Sequence, residues 1–185
     1  MEIIINELTD DEKLLGDVRR FLFKQIKSEF GFDYVPEWHR DIMNLEEFYI
    51  SPERNNFYVA FNESNDIIAT IGLRAYDKDF AEFRDVYSKD KTASIWRLFV
   101  DCNYRRCGLA SEMFGICENF AVESGFESIY LHTHKTSPGA LEFWTKMGFI
   151  VALDACNDLQ TVHMDKDIRK MDISPAMSSF SYAIE

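Results

Sequence analysis

Cysteine is sparse and carries no pattern. Cys102, Cys107, Cys117 and Cys156 form no CxxC pair and have no histidine at finger spacing, which argues against a zinc ribbon, a disulfide framework or any metal centre. Reduced thiols in a cytoplasmic protein fit them best. Long apolar runs are lacking too: nowhere do about 18 apolar residues follow one another, and the start Met-Glu-Ile-Ile-Ile-Asn-Glu has no basic leader region. We expect no membrane association. Positive charge is in deficit, with 20 basic against 32 acidic residues and a net charge of −12, a balance that repels nucleic-acid backbones and anionic lipid. Neither GxxxxGK[ST] nor GxGxxG occurs, so P-loop and dinucleotide-binding folds are disfavoured. No internal repeat or linker divides the chain.

Apolar residues are abundant. They make up 46% of 185 residues, with 15% aromatic, enough for one core and about one domain. We place that domain at residues 1–170, with 171–185 a Ser-rich tail whose Phe180 and Tyr182 would dock on it or join a neighbour.

Glu2–Leu8 has strand composition, and Thr9 with Glu12 reads as a capping box opening a helix. Leu14, Leu15, Val18, Phe21, Leu22, Ile26 and Phe30 recur at helical spacing up to Gly31. A shorter helix is expected after Pro36, then two strands, 57–61 and 67–76, joined as a hairpin by a polar loop. The aperiodic stretch Asp77–Lys91 reads as a surface loop. A β-α-β unit follows: strand 93–101, a helix from Leu109 closed by Gly125, and strand 128–134. Ser137 and Pro138 are expected to start a short helix, and strands at about 149–153 and 159–164 complete an α+β, three-layer pattern.

The stretch with chemical content is the junction from Ser94 to Ala110, where a strand runs through a short loop into a helix. A helix N-terminus offers unpaired N–H groups and a partial positive charge. Gly108 and Ala110 keep that surface bare, and Arg105 and Arg106 add positive charge in an otherwise acidic chain. Three or four amides at roughly 1.5–3 kcal/mol each suffice to hold a pyrophosphate.

At this point the chain resembles the GNAT acetyltransferase superfamily. Its acyl-CoA signature Q/R-x-x-G-x-G/A is met by Arg105-Arg-Cys-Gly108-Leu-Ala110, and a downstream family pattern is echoed by Ser137-Pro-Gly-Ala140-Leu-Glu-Phe143-Trp144-Thr-Lys-Met-Gly148-Phe149. The resemblance implies a mixed, mostly antiparallel central sheet flanked by helices. It implies that Leu98, Phe99 and Val100 offer backbone groups to the pantetheine arm, and that Arg105, Arg106, Cys107, Gly108, Leu109 and Ala110 hold the pyrophosphate. Ser137, Phe143 and Trp144 would lie along the cofactor. Acetyl-CoA is then the cosubstrate, and an amine on a small molecule or peptide attacks the thioester directly.

An amine with a pKa near 10.4 loses its proton at a cost of nearly 5 kcal/mol at neutral pH, so a base is useful. In several relatives a Glu on the strand before the second motif serves. Here that position is His132, which shares a strand face with Tyr130 and His134. Two departures stand out: Trp144 occupies the place of a Tyr acid, and Ser137 that of an Asn. They keep open a second class, a non-catalytic acyl-CoA-binding or interaction module. Residues 1–50, with twelve acidic and six basic side chains, mildly favour a cationic acceptor, and Trp38, His39 and Asp41 are candidate lining residues. Monomer and homodimer are both compatible with the sequence.

Overall fold

The computed structural model describes residues 2–169 and 181–183. The first strand, β1 (Glu2–Glu7), leads into helix α1 (Glu12–Phe30). Asp11, rather than Thr9, is the N-cap: its carboxylate accepts the Leu14 N–H at 2.8 Å, because an Asp one residue before the helix reaches the third amide directly. Gly31, at φ 73°, closes the helix and returns its N–H to the Lys27 carbonyl. Helix α2 (Pro36–Met43) and a π-helical turn, Glu46–Ile50, follow.

Strands β2 (Asn56–Phe61) and β3 (Ile67–Ala75) form the expected hairpin. The stretch from Asp77 to Lys91 is more than a surface loop. It includes a 3-10 turn, and Phe83 and Tyr87 are buried against Tyr76 and Tyr130 as a separate aromatic cluster. Aperiodic sequence hid these anchors, since they sit in irregular backbone. Strand β4 (Thr92–Val100), helix α3 (Leu109–Glu123) and strand β5 (Ser128–His134) make the β-α-β unit. Helix α4 (Ala140–Lys146) starts two residues later than Ser137 and Pro138 predict: Gly139, at φ 75°, is the N-cap, and Ser137 lies in the preceding turn, its N–H on the His134 carbonyl and its own carbonyl accepting the Ala140 N–H. Strands β6 (Ile150–Asp154) and β7 (Thr161–Asp167) follow.

One sheet runs β6-β7-β5-β4-β3-β2-β1 and is extended beside β1 by a short strand, β8 (Ser181–Ala183). Every pairing is antiparallel except β4 with β5, the mixed sheet expected. The proposed boundary at residue 170 and most of the 171–185 tail fall outside the described residues. Helices α3 and α4 cover one face with Met113, Cys117, Trp144 and Phe149 in the core. The α1 residues Val18, Leu22 and Ile26, with Ile42 and Tyr49, cover the other. Each fully buried large side chain contributes about 1.5–3 kcal/mol. Among the described residues no helix is long and apolar enough to cross a membrane.

The sheet opens between β4 and β5. β4 and β5 pair only where Thr92–Ser94 meets Ser128–Tyr130. Beyond that, β5 stays with β7 as far as His134, while β4 stays with β3 to Val100. The strands part because β4 carries a bulge: its register against β3 slips between Thr70 and Gly72, and Arg97 takes φ 50°. An extra residue bends a strand and raises its local twist. Thr70 Oγ1 fixes the bulge by donating to the Arg97 carbonyl at 2.9 Å.

Candidate functional site

The opening is bounded on one side by the free edge of Leu98, Phe99 and Val100, which has no strand partner toward β5. All three are half-buried. Leu98 and Val100 lie against the α3 core, and Phe99 against the α1 core. At the end of β4, Asp101 caps a short 3-10 turn, Cys102–Tyr104, and the chain bends into α3 through Arg105, Arg106, Cys107 and Gly108.

This bend is a ready anion cradle. Arg106 and Gly108 have φ of 64° and 90°, and Gly108 is the N-cap of α3 without any side-chain cap. The first amide to find a carbonyl is that of Glu112, on Gly108 at 3.1 Å. The amides from Arg105 to Ser111 have no acceptor among the described residues, in the place where a helix dipole is positive. A Cβ built on Gly108 meets nothing within 4 Å, so the concavity is open and only a side chain would fill it. Leu109 is buried beneath the bend and Ala110 half-buried. Arg105 donates from Nε to the Val100 carbonyl at 3.0 Å and ion-pairs with Glu29 of α1. Cys107 contacts the Tyr104 carbonyl through Sγ. A bare row of amides beside an unpaired strand edge fits a coenzyme with a diphosphate and an amide-bearing arm.

The α1/α2 face of the opening holds ionisable groups that sequence periodicity did not single out. Arg97, pushed to this face by the bulge, bonds Asp41 of α2 through Nη2 to Oδ1 at 2.5 Å and Nε to Oδ2 at 2.9 Å. It also donates to the Trp38 carbonyl. Tyr49 donates its hydroxyl to Asp41 at 2.6 Å. Burial alone would raise the Asp41 carboxyl, but the bonds and charge of Arg97, with Tyr49 and Arg74, carry it below its ordinary value. Arg74 is sandwiched between the rings of Phe48 at 4.5 Å and Trp96 at 4.4 Å and pairs with Asp77. Lys78 sits with its Nζ 3.7 Å from the centre of the Trp96 ring. Desolvation lowers this ammonium to about 8, helped by Arg74 and Arg97 and opposed by Asp77 and Asp41.

His132 stands on the same face beside Phe80, Tyr130, His134 and His163. Solvent reaches its ring, yet the dense walls of the cleft desolvate it, and Lys78, His163, His134 and Arg97 repel its proton. Its imidazole is therefore held far below the usual range and is neutral at pH 7. Its neighbours are committed elsewhere: His134 Nδ1 lies 3.0 Å from the Leu159 carbonyl, and His163 Nδ1 lies 2.7 Å from the Tyr130 hydroxyl.

The two motif segments end up on different sides of this arrangement. Trp144 is 7% exposed and packs on Phe114, Phe143 and Phe149 beneath α3. Phe143 is half-buried beside it, and Ser137 lies in the turn before α4. Of the residues considered for the acceptor side, Asp41 is buried in its ion pair. His39 is buried, its Nδ1 accepting the Val35 N–H. Trp38 is 53% exposed and edges onto Phe32. Lys78 and Arg97 were not picked out from sequence; the one available signal was an Arg inside the apolar run Ile95-Trp-Arg-Leu-Phe-Val.

Comparison with known proteins agrees with this geometry. Residues 23–149 match the acetyltransferase (GNAT) family. The chain is 31% identical to Probable N-acetyltransferase san of Drosophila melanogaster over 73% of its own length and 66% of that protein's. It is 26% identical to human N-acetyltransferase 8 over 59% of its length and 44% of that protein's. It therefore spans from under half to about two thirds of these relatives. In fold it resembles an acetyltransferase of the GNAT family from Staphylococcus aureus, with a TM-score of 0.71 at 20% identity, covering 89% of this chain and 99% of that one. It also resembles the PaiA N-acetyltransferase of Thermoplasma acidophilum in complex with coenzyme A, with a TM-score of 0.61 at 18% identity, covering 90% and 99%. With the signature loop, the parted strands and the family match all lying in one continuous stretch, the chain belongs to the acetyltransferase (GNAT) family.

Proposed function

We propose that this protein is an acetyl-CoA-dependent N-acetyltransferase that acetylates a primary amine by direct attack in a ternary complex. The observation that carries the reading is the run of acceptor-less amides from Arg105 to Ser111 around the open face of Gly108. A neighbouring fold solved with coenzyme A supports the same ligand here. Arg105, Arg106, Cys107, Gly108, Leu109 and Ala110 would hold the diphosphate, and the free edge of Leu98, Phe99 and Val100 would pair with the arm as an added strand. Ser137, Phe143 and Trp144 would bound its far side. When bound, the coenzyme supplies an activated thioester and a thiolate leaving group.

The chain's own residues do the rest. Backbone N–H groups on the β4 edge, preorganised by the sheet, would stabilise developing oxyanion charge. His132 is our candidate proton acceptor. It is neutral at working pH and no hydrogen bond from the protein occupies it among the described residues. Desolvation and cationic neighbours hold it far below the usual range, which makes it a weak base next to the near-neutral pKa that suits a general base, so its candidacy rests on its position on β5. Trp144 has no acidic proton, so departure of the thiol rests on its own pKa near 8.5.

The test is thiol release from acetyl-CoA across a panel of primary amines. Amine-dependent release supports transfer. Coenzyme binding without any amine-dependent release would leave the non-catalytic acyl-CoA-binding module as the better reading. With an accepted amine, an unchanged pH–rate profile in His132→Ala would remove His132 from the chemistry.

A further inference from the structure

The charges on the α1/α2 face of the opening do not balance. Arg97 is answered by Asp41 and Arg74 by Asp77. Lys78 has no carboxylate within ion-pair distance among the described residues: Asp77 and Asp41 act on it only from farther off, and its Nζ lies on the Trp96 ring. Three cations thus share two carboxylates, and the unanswered one is half-buried. A desolvated charge without a partner is costly unless something completes it.

Lys78 also has a definite place. Its field reaches His132 and His163 on β5 and β7, and Arg97 and Asp41 on β4 and α2. Its Nζ, 3.7 Å from the ring of Trp96 on β4, sets it beside the gap between β4 and β5, on the side away from α3 where Trp96 packs. Phe80, two residues on, packs against both His132 and His163. Toward the loop before α2, Phe30 bridges Phe99 and His134. Among the described residues the cleft is aromatic-walled with one ammonium that has no ion pair.

We propose that Lys78 recognises the acceptor: its ammonium takes the carboxylate of a free α-amino acid, leaving the amino group to face the opening between the strands. This deepens the transferase reading and rests on it. The cationic acceptor favoured by the acidic N-terminal segment is not what this cleft complements, because Asp41, the carboxylate on its α2 wall, is consumed by Arg97. Ligand binding supplies Lys78 with the counter-ion that the fold withholds, and a charge-assisted bond in a poorly solvated site discriminates strongly against a neutral isostere.

The experiment compares the protein amino acids with their α-carboxamides, by calorimetry on the CoA-saturated protein and by thiol release from acetyl-CoA. At least one amino acid is expected to bind about tenfold or more tightly than its carboxamide. Lys78→Gln should abolish that preference by weakening the acid alone, with CoA affinity within about twofold of wild type, and Lys78→Arg should restore it. No preference for any acid over its carboxamide, or a preference that survives Lys78→Gln, overturns the proposal. Carboxylate-selective binding without thiol release keeps the subsite and sinks the transferase reading. Equal thiol release from acids and carboxamides does the reverse.

Discussion

Asp41 holds Arg97 at two points, 2.5 and 2.9 Å, and in doing so ties α2 to the bulge that parts β4 from β5. Arg97 has φ 50°, a conformation an Arg adopts only where its surroundings impose it. The opening of the sheet is thus secured from outside the sheet, by a carboxylate 56 residues earlier in the chain.

Removing that carboxylate is the first prediction. Asp41→Ala leaves a buried guanidinium unpaired and should cost about 3–5 kcal/mol, read as a melting-temperature drop of roughly 10 °C. Because the Asp41 carboxyl lies below its ordinary value when folded, its stabilisation is present above about pH 4 and is lost as pH falls through the folded value. The gap between wild type and variant should accordingly narrow in acid. A variant as stable as wild type at pH 7 would show that Arg97 is held otherwise.

Gly108 and Gly139 form a matched pair for the coenzyme site. Both have positive φ, 90° and 75°, and a Cβ on either meets nothing within 4 Å. Alanine at each should cost a similar ~1 kcal/mol of backbone strain. Only Gly108→Ala places a methyl in the amide cradle, so CoA affinity measured by calorimetry should fall about tenfold or more there and stay near wild type in Gly139→Ala. Equal losses would point to strain, not to the cradle.

Three histidines predict a pH response. Burial lowers His39 and His163, and His132 is lowered by desolvation and its cationic neighbours. Each is harder to protonate when folded than when unfolded, where its pKa is near 6.5, so the unfolded state gains protons first as pH drops. The urea midpoint should therefore decline from pH 7 to pH 5, and His163→Gln should shallow that decline. A midpoint that is flat over this window would contradict the assignment.

Gly72 lies across the bulge on β3, paired with Trp96, and faces the same α1-side core as Tyr49. A Cβ there would sit 2.7 Å from Tyr49 and 2.9 Å from Phe57 ring carbons. Gly72→Ala should destabilise by about 1–3 kcal/mol through overpacking, and its combination with Asp41→Ala should be non-additive, because both displace Tyr49. Simple additivity would separate the two packing regions.

The cradle was legible because it is local. Arg105, Gly108 and Ala110 lie within six consecutive residues, and the demands of a bare helix start are written in neighbouring side chains. The alternation and helical stripes that gave most elements are local too. Errors occurred where a nearby alternative competed: Asp11 caps α1 in place of Thr9, and Gly139 caps α4 in place of Ser137. The acceptor cleft was not legible. Lys78 sits in aperiodic sequence, and Arg97 reaches its face only because a register slip, invisible in composition, inverts it.

By itself the sequence determined the order of elements, the amide-lined bend at Arg105–Ala110 and, through these, the family; each follows from contacts between residues close along the chain. Tertiary structure alone decided where β4 leaves β5, which charges meet in the gap and that Lys78 has no ion-pair partner among the described residues. Those depend on α2, β3, β4 and β5 converging from distant positions, and the burial that sets their electrostatics exists only once the layers have packed.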